Sequence, residues 1–373
     1  MKLLDLMQIA RSMTASDLHL ITGISPAMRI NGEIILMNRP PMEPDELRRM
    51  VDEILNDDQK QHLQKNWELC FSLFDADRAR ARVTIYFHAG NPEVSVRLCS
   101  FNIPDSFTLG LPSIMDELAR KPNGLILIAG ATGAGKTTTL NYMVDLINRE
   151  RRCKIVMIED PVEYVHRPQK ALIVQQEVHT DTHSFSRALI HVLRQNPDVI
   201  VIGEMRELEA IATALTAAET GHLVIATLHT PNTMQTVERI TAVFPGDQQK
   251  QITLQLANSL QAVITQDLIP RADKKGRALA FEVMVANAAV RNTIRENNLH
   301  QLYNLVETGR KDGMNTMDQC LQDLYQRGVI TYDAALTRAR SVDRFVKQQG
   351  VNSSAPVRES AAQSFIRRLT PGS

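Results

Sequence analysis

Eight consecutive residues, GATGAGKT (130–137), have the types and spacing of a loop that binds phosphate. They fit the pattern GxxxxGK[ST] once in the chain. The three glycines let the backbone turn tightly and point its N–H groups at phosphate oxygens. Lys136 is expected to reach the β- and γ-phosphates of a nucleotide, and the Thr137 hydroxyl is expected to ligate Mg²⁺. The residues predicted to surround the phosphates are Gly130, Ala131, Thr132, Gly133, Ala134, Gly135, Lys136, Thr137 and Thr138.

The neighbouring segments favour this interpretation over a glycine-rich turn with an incidental lysine. An apolar run, LILIA (125–129), comes directly before the loop, and a stretch of helical character follows it. A helix that begins at the loop adds a favourable potential for anions. The sequence therefore predicts a nucleoside triphosphate site at this loop.

Carboxylates follow two other apolar runs. IVMI (155–158) leads into EDPVE (159–163), and VIVI (199–202) is followed two residues later by Glu204. The carboxyl ends of neighbouring strands meet at one edge of a parallel sheet. A carboxylate after the second run can hold Mg²⁺ through water, and one after the first can orient or deprotonate the attacking water. Each acid could instead cap a helix or face solvent, but two such strands beside one phosphate loop favour a functional role.

Two histidines flank a further apolar run in TGHLVIATLHT (220–230). If LVIAT (223–227) is a strand of the same sheet, His229 follows its carboxyl end and could donate an N–H to a γ-phosphate oxygen. His222 would lie at the other end of the strand, farther from the chemistry. A structural role is the alternative for either histidine, and a zinc pair is disfavoured because further ligands do not cluster nearby.

The composition indicates a globular protein with room for two domains. The chain has 373 residues, of which 43% are hydrophobic and 23% charged. Its 42 basic and 42 acidic residues balance, so no overall field favours nucleic acid or an anionic membrane. We find no uninterrupted apolar stretch of about 18 residues, and the opening segment suits an amphipathic helix better than a signal peptide. The four cysteines form no CxxC pair, which indicates free thiols in a reducing compartment.

The first part of the chain, residues 1–101, is predicted to be a mixed α/β domain. It begins with a helix, and Asn31-Gly32 marks a hairpin turn. A helix with Pro44 near its start follows, and then two strands flank Gly90-Asn91-Pro92. Residues 102–112 contain turn residues with little periodicity, so we place an interdomain linker there.

The second part, residues 113–340, is predicted to alternate buried parallel strands with helices, because short and fully apolar runs alternate with helical stretches. The segment after residue 246 is predicted to be a helix that carries Leu256, Leu260, Val263 and Ile264 on one face. Further helices are expected up to about residue 340. Residues 341–373 lack sustained periodicity and are predicted to form a flexible tail.

Taken together, these stretches resemble the secretion-type hexameric ATPases and, within them, the PilT-type retraction motors of type IV pili. The resemblance covers residues 1 to about 340. The motifs that carry it are SDLHL (16–20), the Walker A sequence GATGAGKT, the aspartate box IEDPVEYVH (158–166), the Walker B segment LRQNPDVIVIGEMRE (193–207), the histidine box AETGHLVIATLHT (218–230), and AVRNTIRE (289–296), which is similar to AIRNLIRE.

This resemblance implies an α/β fold with a PAS-like N-terminal domain and a RecA-like P-loop ATPase domain, followed by C-terminal helices. It implies a homohexamer that binds ATP and Mg²⁺ between the two domains of one subunit. Further site residues are carried over from the family: Glu163, Glu204, His229, Arg82 and Arg97 as catalytic residues, Arg80, His222 and Arg206 as nucleotide-binding residues, and Thr137 with Glu204 at the metal.

Some positions depart from the family pattern. Glu207 follows Arg206 where the family usually has aspartate, and HAGNPEV (88–94) lacks the common Gln-Arg pair. AVRNTIRE differs from the retraction motif at Val290 and Thr293. The tail is longer than in many relatives, and some PilU-type accessory motors also have tails. The chain has neither the tetracysteine module nor the longer N-terminal region of assembly ATPases, which favours a retraction motor.

The function expected from the sequence is hydrolysis of Mg-ATP to power pilus retraction and twitching motility. The alternatives are an accessory PilU-type motor or related secretion ATPase, a RecA-like nucleic-acid motor, and a nucleotide-binding scaffold without meaningful turnover. The expected partners are a platform protein of the inner membrane and a paralogous retraction ATPase, with no nucleic acid. The expected location is the cytoplasm, at the periphery of the inner membrane.

Overall fold

The computed structural model describes residues 2–30, 33–74, 80–99 and 102–341, which form two β-sheets with separate hydrophobic cores. The first sheet has the strand order β3-β2-β1-β6-β5-β4, and its neighbouring strands are antiparallel. Its strands are β1 (Asp17–Leu20), β2 (Ala27–Ile30), β3 (Glu33–Leu36), β4 (Glu68–Phe74), β5 (Arg80–His88) and β6 (Asn91–Leu98). One face packs on α1 (Leu3–Ser12), α2 (Pro44–Ile54) and α3 (Asp57–Asn66).

Alternation along β5 and β6 puts two arginines on the open face of this sheet. Val83 and Val96 point into the core, and the neighbouring residues Arg82 and Arg97 point away from it and lie opposite each other. The turn between these strands lies at Ala89 and Gly90, both of which have positive φ. The prediction of two strands here is confirmed, although Asn91 already belongs to β6.

The helices predicted for this part are also present. Pro44 is the first residue of α2, where its missing N–H costs no helical hydrogen bond. The predicted hairpin turn at Asn31-Gly32 lies outside the described residues, but β2 and β3 on either side of it pair antiparallel, with Ile30 opposite Glu33.

The second sheet has the strand order β13-β12-β7-β11-β10-β8-β9 and is parallel except for the β12–β13 pair. Its strands are β7 (Gly124–Ala129), β8 (Lys154–Glu159), β9 (Leu172–Glu177), β10 (Val199–Ile202), β11 (Leu223–Leu228), β12 (Leu260–Pro270) and β13 (Arg277–Val285). The four predicted apolar runs are the central strands β7, β11, β10 and β8. The mainly parallel α/β architecture is therefore confirmed.

Helices cover both faces of this sheet, which explains why its central strands are apolar throughout. In β7, Leu125 and Leu127 enter one core, and Ile126 and Ile128 enter the other. The helices of this part are α4 (Ser106–Leu109), α5 (Ile114–Ala119), α6 (Lys136–Glu150), α7 (Phe185–Val192), α8 (Leu208–Glu219), α9 (Thr233–Ala242), α10 (Gly246–Ser259), α11 (Ala288–Arg295), α12 (Leu302–Thr308), α13 (Met317–Gln326) and α14 (Tyr332–Leu336).

The prediction of one long helix after residue 246 is wrong. Helix α10 ends at Ser259, and Leu260 begins strand β12, so Val263 and Ile264 are strand residues. The run Val-Ile-Thr (263–265) is β-branched and fits a strand that is buried on both faces. Only Leu256 of the predicted helical face lies on the helix.

The segment predicted to be a linker, 102–112, contains α4 and packs Ile103, Leu109 and Leu111 against the core of the second sheet. Residues 342–373, nearly all of the predicted tail, lie outside the described residues. Within the part of the chain that the structure describes, no helix combines the length and the apolar character needed to cross a membrane. The domain boundaries remain a prediction.

Candidate active site

The loop after β7 forms one wall of a cavity of about 440 Å³, which is within the usual size of ligand pockets. Gly130, Gly133 and Gly135 all have positive φ. A Cβ atom on Gly130 would lie only 2.3 Å from the carbonyl oxygen of Gln266, so a larger residue does not fit there. Helix α6 begins at Lys136, and its N-terminal N–H groups therefore open toward the loop.

Lys136 lies at the centre of this pocket. Its Nζ donates to the carbonyl oxygens of Gly130 (2.8 Å) and Ala131 (2.9 Å), and it lies 3.3 Å from Nδ1 of His229. Burial lowers the pKa of this ammonium group, and Glu204 opposes that shift. A buried cation that is met by neutral carbonyls and one nearby carboxylate is suited to bind an anion.

Glu204 and His229 follow the carboxyl ends of the adjacent strands β10 and β11. Nε2 of His229 lies 2.8 Å from Oε1 of Glu204. Partial burial, followed by the charge of Lys136, lowers the pKa of His229, so the ring is neutral at pH 7. Both partners are satisfied by the tautomer in which Nε2–H donates to Glu204 and Nδ1 accepts from Lys136.

The loop after β8 carries Glu163 to the same pocket. The residue is solvent-exposed and lines the pocket, and neighbouring protein atoms partly bury its carboxyl group. This burial raises the pKa of its carboxyl group, while Arg97 and a hydrogen bond with Thr137 oppose the shift. The Thr137 contact joins the predicted base to the Walker A threonine, as expected if both act on one phosphate group.

Glu159, at the end of β8, also lines the pocket and is buried. Its burial raises the pKa of the carboxyl group to about 8. This group is therefore largely protonated at neutral pH, which makes it a poor metal ligand.

The oxygen donors of the pocket fit Mg²⁺. No group of three or more His, Cys, Asp or Glu side chains that could hold a metal ion occurs among the described residues. Mg²⁺ commonly takes few protein ligands and keeps several water molecules and phosphate oxygens. The Thr137 hydroxyl and the Glu204 carboxylate are placed to supply those few protein ligands.

The structure also brings two of the predicted arginines beside Glu163. Arg82 and Arg97 line a smaller cavity together with Glu163 and Tyr164, between the first sheet and the loop after β8. Nε of Arg97 lies 3.1 Å from Oδ1 of Asp17. Arg206 lines the main pocket and forms an ion pair with Glu204, and its side chain is 73% exposed. It is therefore accessible to solvent.

Two predicted nucleotide-binding residues do not reach the pocket in this chain. Arg80 is buried between the sheets, where its Nη2 lies 2.9 Å from Oε2 of Glu177. His222 lies before β11, at the end of the strand away from the phosphate loop, and its Nδ1 lies 3.0 Å from the carbonyl oxygen of Ala217. The family motifs include both residues. Burial against Glu177 keeps Arg80 out of the pocket, and the direction of β11 places His222 at the far end of the strand.

Sequence reasoning missed the wall that is formed by β12 and β13. Leu268 and Arg277 line the pocket, and Gln266 donates to the carbonyl oxygen of Ala134 at 2.7 Å. The hydroxyl of Tyr164 lies 3.2 Å from that of Thr138. The run that carries Leu268 and Gln266 was predicted to be helical, so nothing in the pattern pointed these side chains at the phosphate loop.

Comparison with known proteins adds a family to this geometry. Residues 106–357 match the family described as Type II/IV secretion system protein. The chain is 41% identical to a twitching motility protein of Neisseria gonorrhoeae over 91% of both chains. It is 39% identical to the type IV pilus retraction ATPase PilT of Pseudomonas aeruginosa, over 92% of this chain and 100% of that protein. The type IV pilus ATPase PilU of the same organism is 37% identical over 95% of this chain and 94% of its own length.

A solved structure agrees with these relatives. The crystal structure of the pilus retraction motor PilT with bound ADP superposes with a TM-score of 0.86 at 39% identity, over 93% of this chain and 99% of that one. Similarity thus extends over most of both chains. The chain belongs to the type II/IV secretion system family and, within it, to the PilT-type ATPases.

Proposed function

We propose that the protein hydrolyses Mg-ATP in a homohexamer and that this hydrolysis powers retraction of a type IV pilus. The observation that carries the proposal is the convergence of Lys136, Glu163, Glu204 and His229 on one cavity from four separate segments. Lys136, Glu163 and Glu204 supply a phosphate-binding cation, a base and a metal-side acid, which are parts that phosphoryl transfer to water requires, and the His229 ring orients the cation and the acid.

Each residue has a task that its surroundings support. Lys136 and the N–H groups at the start of α6 bind the β- and γ-phosphates. Thr137 and Glu204 would hold Mg²⁺, which would neutralise charge on the phosphates. Glu163 accepts a proton from the attacking water. Its raised pKa makes it a stronger base than an ordinary carboxylate, although it ionises only at a higher pH.

The motion is proposed to arise between the two sheets. Arg82 and Arg97 belong to the first sheet but lie beside Glu163, and their cavity separates that sheet from the catalytic loop. Charge that develops on the γ-phosphate attracts these cations. The first sheet would close onto the bound nucleotide and reopen after hydrolysis. This motion of each subunit would then move its neighbours in the ring.

The assembly and its partners are proposals that rest on the relatives. The ring of six subunits, the location at the cytoplasmic side of the inner membrane and the docking to a platform protein are proposed from the family resemblance of the sequence motifs. The similarity to PilT over most of both chains agrees with that resemblance. Pairing with a paralogous retraction ATPase is proposed on the same ground. An accessory, PilU-type role remains the second candidate, because identities of 39% and 37% to the two Pseudomonas proteins do not separate them.

Two other functions receive less support. A nucleic-acid motor would benefit from basic residues in excess over acidic ones, but the chain has 42 of each. Single-stranded DNA that stimulates ATPase activity in a salt-sensitive manner would favour it. A scaffold without turnover would not need a base, yet Glu163 contacts Thr137 inside the pocket.

The proposed role can be tested in a strain that lacks the gene and any paralogue. Complementation with the wild-type chain should restore twitching and normal pilus length, whereas complementation with Glu163→Gln should leave long pili that do not retract. Purified Glu204→Ala should hydrolyse ATP at least about tenfold more slowly than wild type. Normal retraction in the Glu163→Gln strain would contradict the proposed cellular role.

A further inference from the structure

Both backbone polar groups of Val162, the residue before Glu163, are held by side chains outside the nucleotide pocket. The N–H of Val162 donates to Oε2 of Glu177 at 3.0 Å. The carbonyl oxygen of Val162 accepts from Sγ of Cys99 at 3.0 Å. Val162, Cys99 and Glu177 are all buried, at 2%, 4% and 5% exposure, so water does not compete for these bonds.

The two groups come from different parts of the fold. Glu177 ends β9 of the second sheet, and Cys99 follows β6 of the first. Glu177 also binds the first sheet directly, because the Ser72 hydroxyl donates to its Oε1 at 2.5 Å and Nη2 of Arg80 lies 2.9 Å from its Oε2. Arg11 links the segments that carry Cys99 and Arg80, since its guanidinium donates to the carbonyl oxygens of Cys99 (2.7 Å) and Arg80 (2.6 Å).

The protonation states suit these bonds. Burial disfavours the charge on Glu177, but the hydrogen bonds from Ser72 and Val162, together with Arg80, outweigh it and lower the pKa of this carboxyl group. Glu177 is therefore an ionised acceptor at neutral pH. Burial raises the pKa of the Cys99 thiol to about 11, which keeps the proton that it donates.

We propose that Glu177 and Cys99 are positioning residues for Glu163. Through them, the orientation of the Glu163 side chain depends on the position of the first sheet relative to the second. The inference rests on the proposed role of Glu163 as the base. Cys99 holds the carbonyl of the peptide bond that joins Val162 to Glu163, and Glu177 holds the N–H of the peptide before it. A shift of either peptide therefore redirects the Glu163 side chain. Neither positioning residue lines the main pocket, so nucleotide binding itself should not depend on them.

Cys99 offers the cleanest test, because its substitution leaves no buried charge without a partner. In the full-length chain, Cys99→Ala should lower kcat for ATP about threefold to tenfold and leave KM unchanged, since one neutral hydrogen bond is lost. Cys99→Ser restores a donor and should recover most of the activity. Cys320→Ala is the matched control, because Cys320 is another buried thiol that lies away from this loop, and its kcat should stay at the wild-type value.

The same substitution in a Glu163→Gln background separates positioning from general stability. If Cys99 acts through Glu163, Glu163→Gln and the double variant with Cys99→Ala should hydrolyse ATP equally slowly. Glu177→Gln should give the same pattern with a larger loss of kcat. Thermal unfolding of each variant identifies any that do not fold. If Glu177→Gln does not fold, the kcat values of Cys99→Ala and Cys99→Ser test the positioning role.

The possible failures are distinguishable. If Glu163→Gln is slow but Cys99→Ala turns over like wild type, the positioning role is overturned and the role of Glu163 stands. The positioning role is also overturned if Cys99→Ala lowers kcat by the same factor in the Glu163→Gln background as in wild type. A rise in KM in place of a loss of kcat would overturn it as well. If Glu163→Gln hydrolyses ATP at the wild-type rate, the proposed base is wrong and the inference falls with it.

Discussion

His229 and Glu204 are joined across the floor of the pocket, where Nε2 of the imidazole lies 2.8 Å from Oε1 of the carboxylate. The other ring nitrogen faces the ammonium group of Lys136 at 3.3 Å. One neutral ring therefore connects the acid on the metal side to the cation on the phosphate side. The orientation of this ring is therefore set by contacts with both groups.

Replacing His229 with Gln should lower kcat by about tenfold to 100-fold, because a hydrogen bond of this kind is worth about 1.5–3 kcal/mol next to charged groups. Steady-state phosphate release measures the change. The matched control is His191→Gln, on the exposed face of α7, which should be neutral. A His229→Gln protein with unaltered kcat would show that the ring only fills space.

Arg97→Gln should move the acid limb of the kcat–pH profile to higher pH as well as lower kcat. Burial raises the pKa of Glu163 and Arg97 opposes that shift, so removal of Arg97 lets the pKa rise further and delays formation of the carboxylate. Arg29→Gln controls for the lost contact with Asp17, since Arg29 lies 3.9 Å from the same carboxylate group. An acid limb that stays in place, or that moves to lower pH, would contradict this coupling.

Arg277→Ala should raise KM for ATP about tenfold or more and change kcat less, because a charge-assisted contact with the bound nucleotide is lost. Arg277 lines the pocket from the start of β13. Arg271→Ala is the control from the same hairpin, where Arg271 pairs with Asp273 at 3.1 Å instead. Equal KM values for both variants would remove Arg277 from the binding site.

Glu159 should make the protein less stable as the pH rises. The pKa of its carboxyl group is about 8 in the folded chain and 4.5 ordinarily. The folded state therefore binds the extra proton between these values, and the stability this provides is present below pH 4.5 and lost as pH rises toward 8. The side chain of Glu159→Gln cannot ionise, so this variant does not lose that stability. The free energy of unfolding of the variant minus that of wild type should therefore increase by roughly 2 kcal/mol from about pH 6 to pH 9. Denaturant titrations at both pH values measure the gain, and a constant difference would contradict it.

Local motifs predicted the parts of the site that depend on local structure. The phosphate loop, Glu163, Glu204 and His229 each follow an apolar run, and parallel strands bring their carboxyl ends to one edge whatever their separation in sequence. The same reasoning placed His222 at the opposite end of β11, where the structure has it. Its assignment to the nucleotide came from the family resemblance alone.

The remaining parts depend on contacts between distant segments. Arg80 has the sequence context of Arg82, but the approach of β9 buries it against Glu177. Arg277 was missed because β12 was predicted as a continuation of α10, and a buried apolar run gives no period that separates strand from helix. The hydrogen bonds from Val162 to Glu177 and from Cys99 to Val162 could not be predicted, since neither Cys99 nor Glu177 belongs to a recognisable sequence motif.

The central claim is that this pocket performs hydrolysis with Glu163 as its base. The most direct measurement is Mg-ATP turnover by Glu163→Gln at saturating ATP. We expect a rate at least about 100-fold below wild type, because proton transfer by a positioned base contributes about 100-fold or more. A turnover within about twofold of wild type would contradict the account.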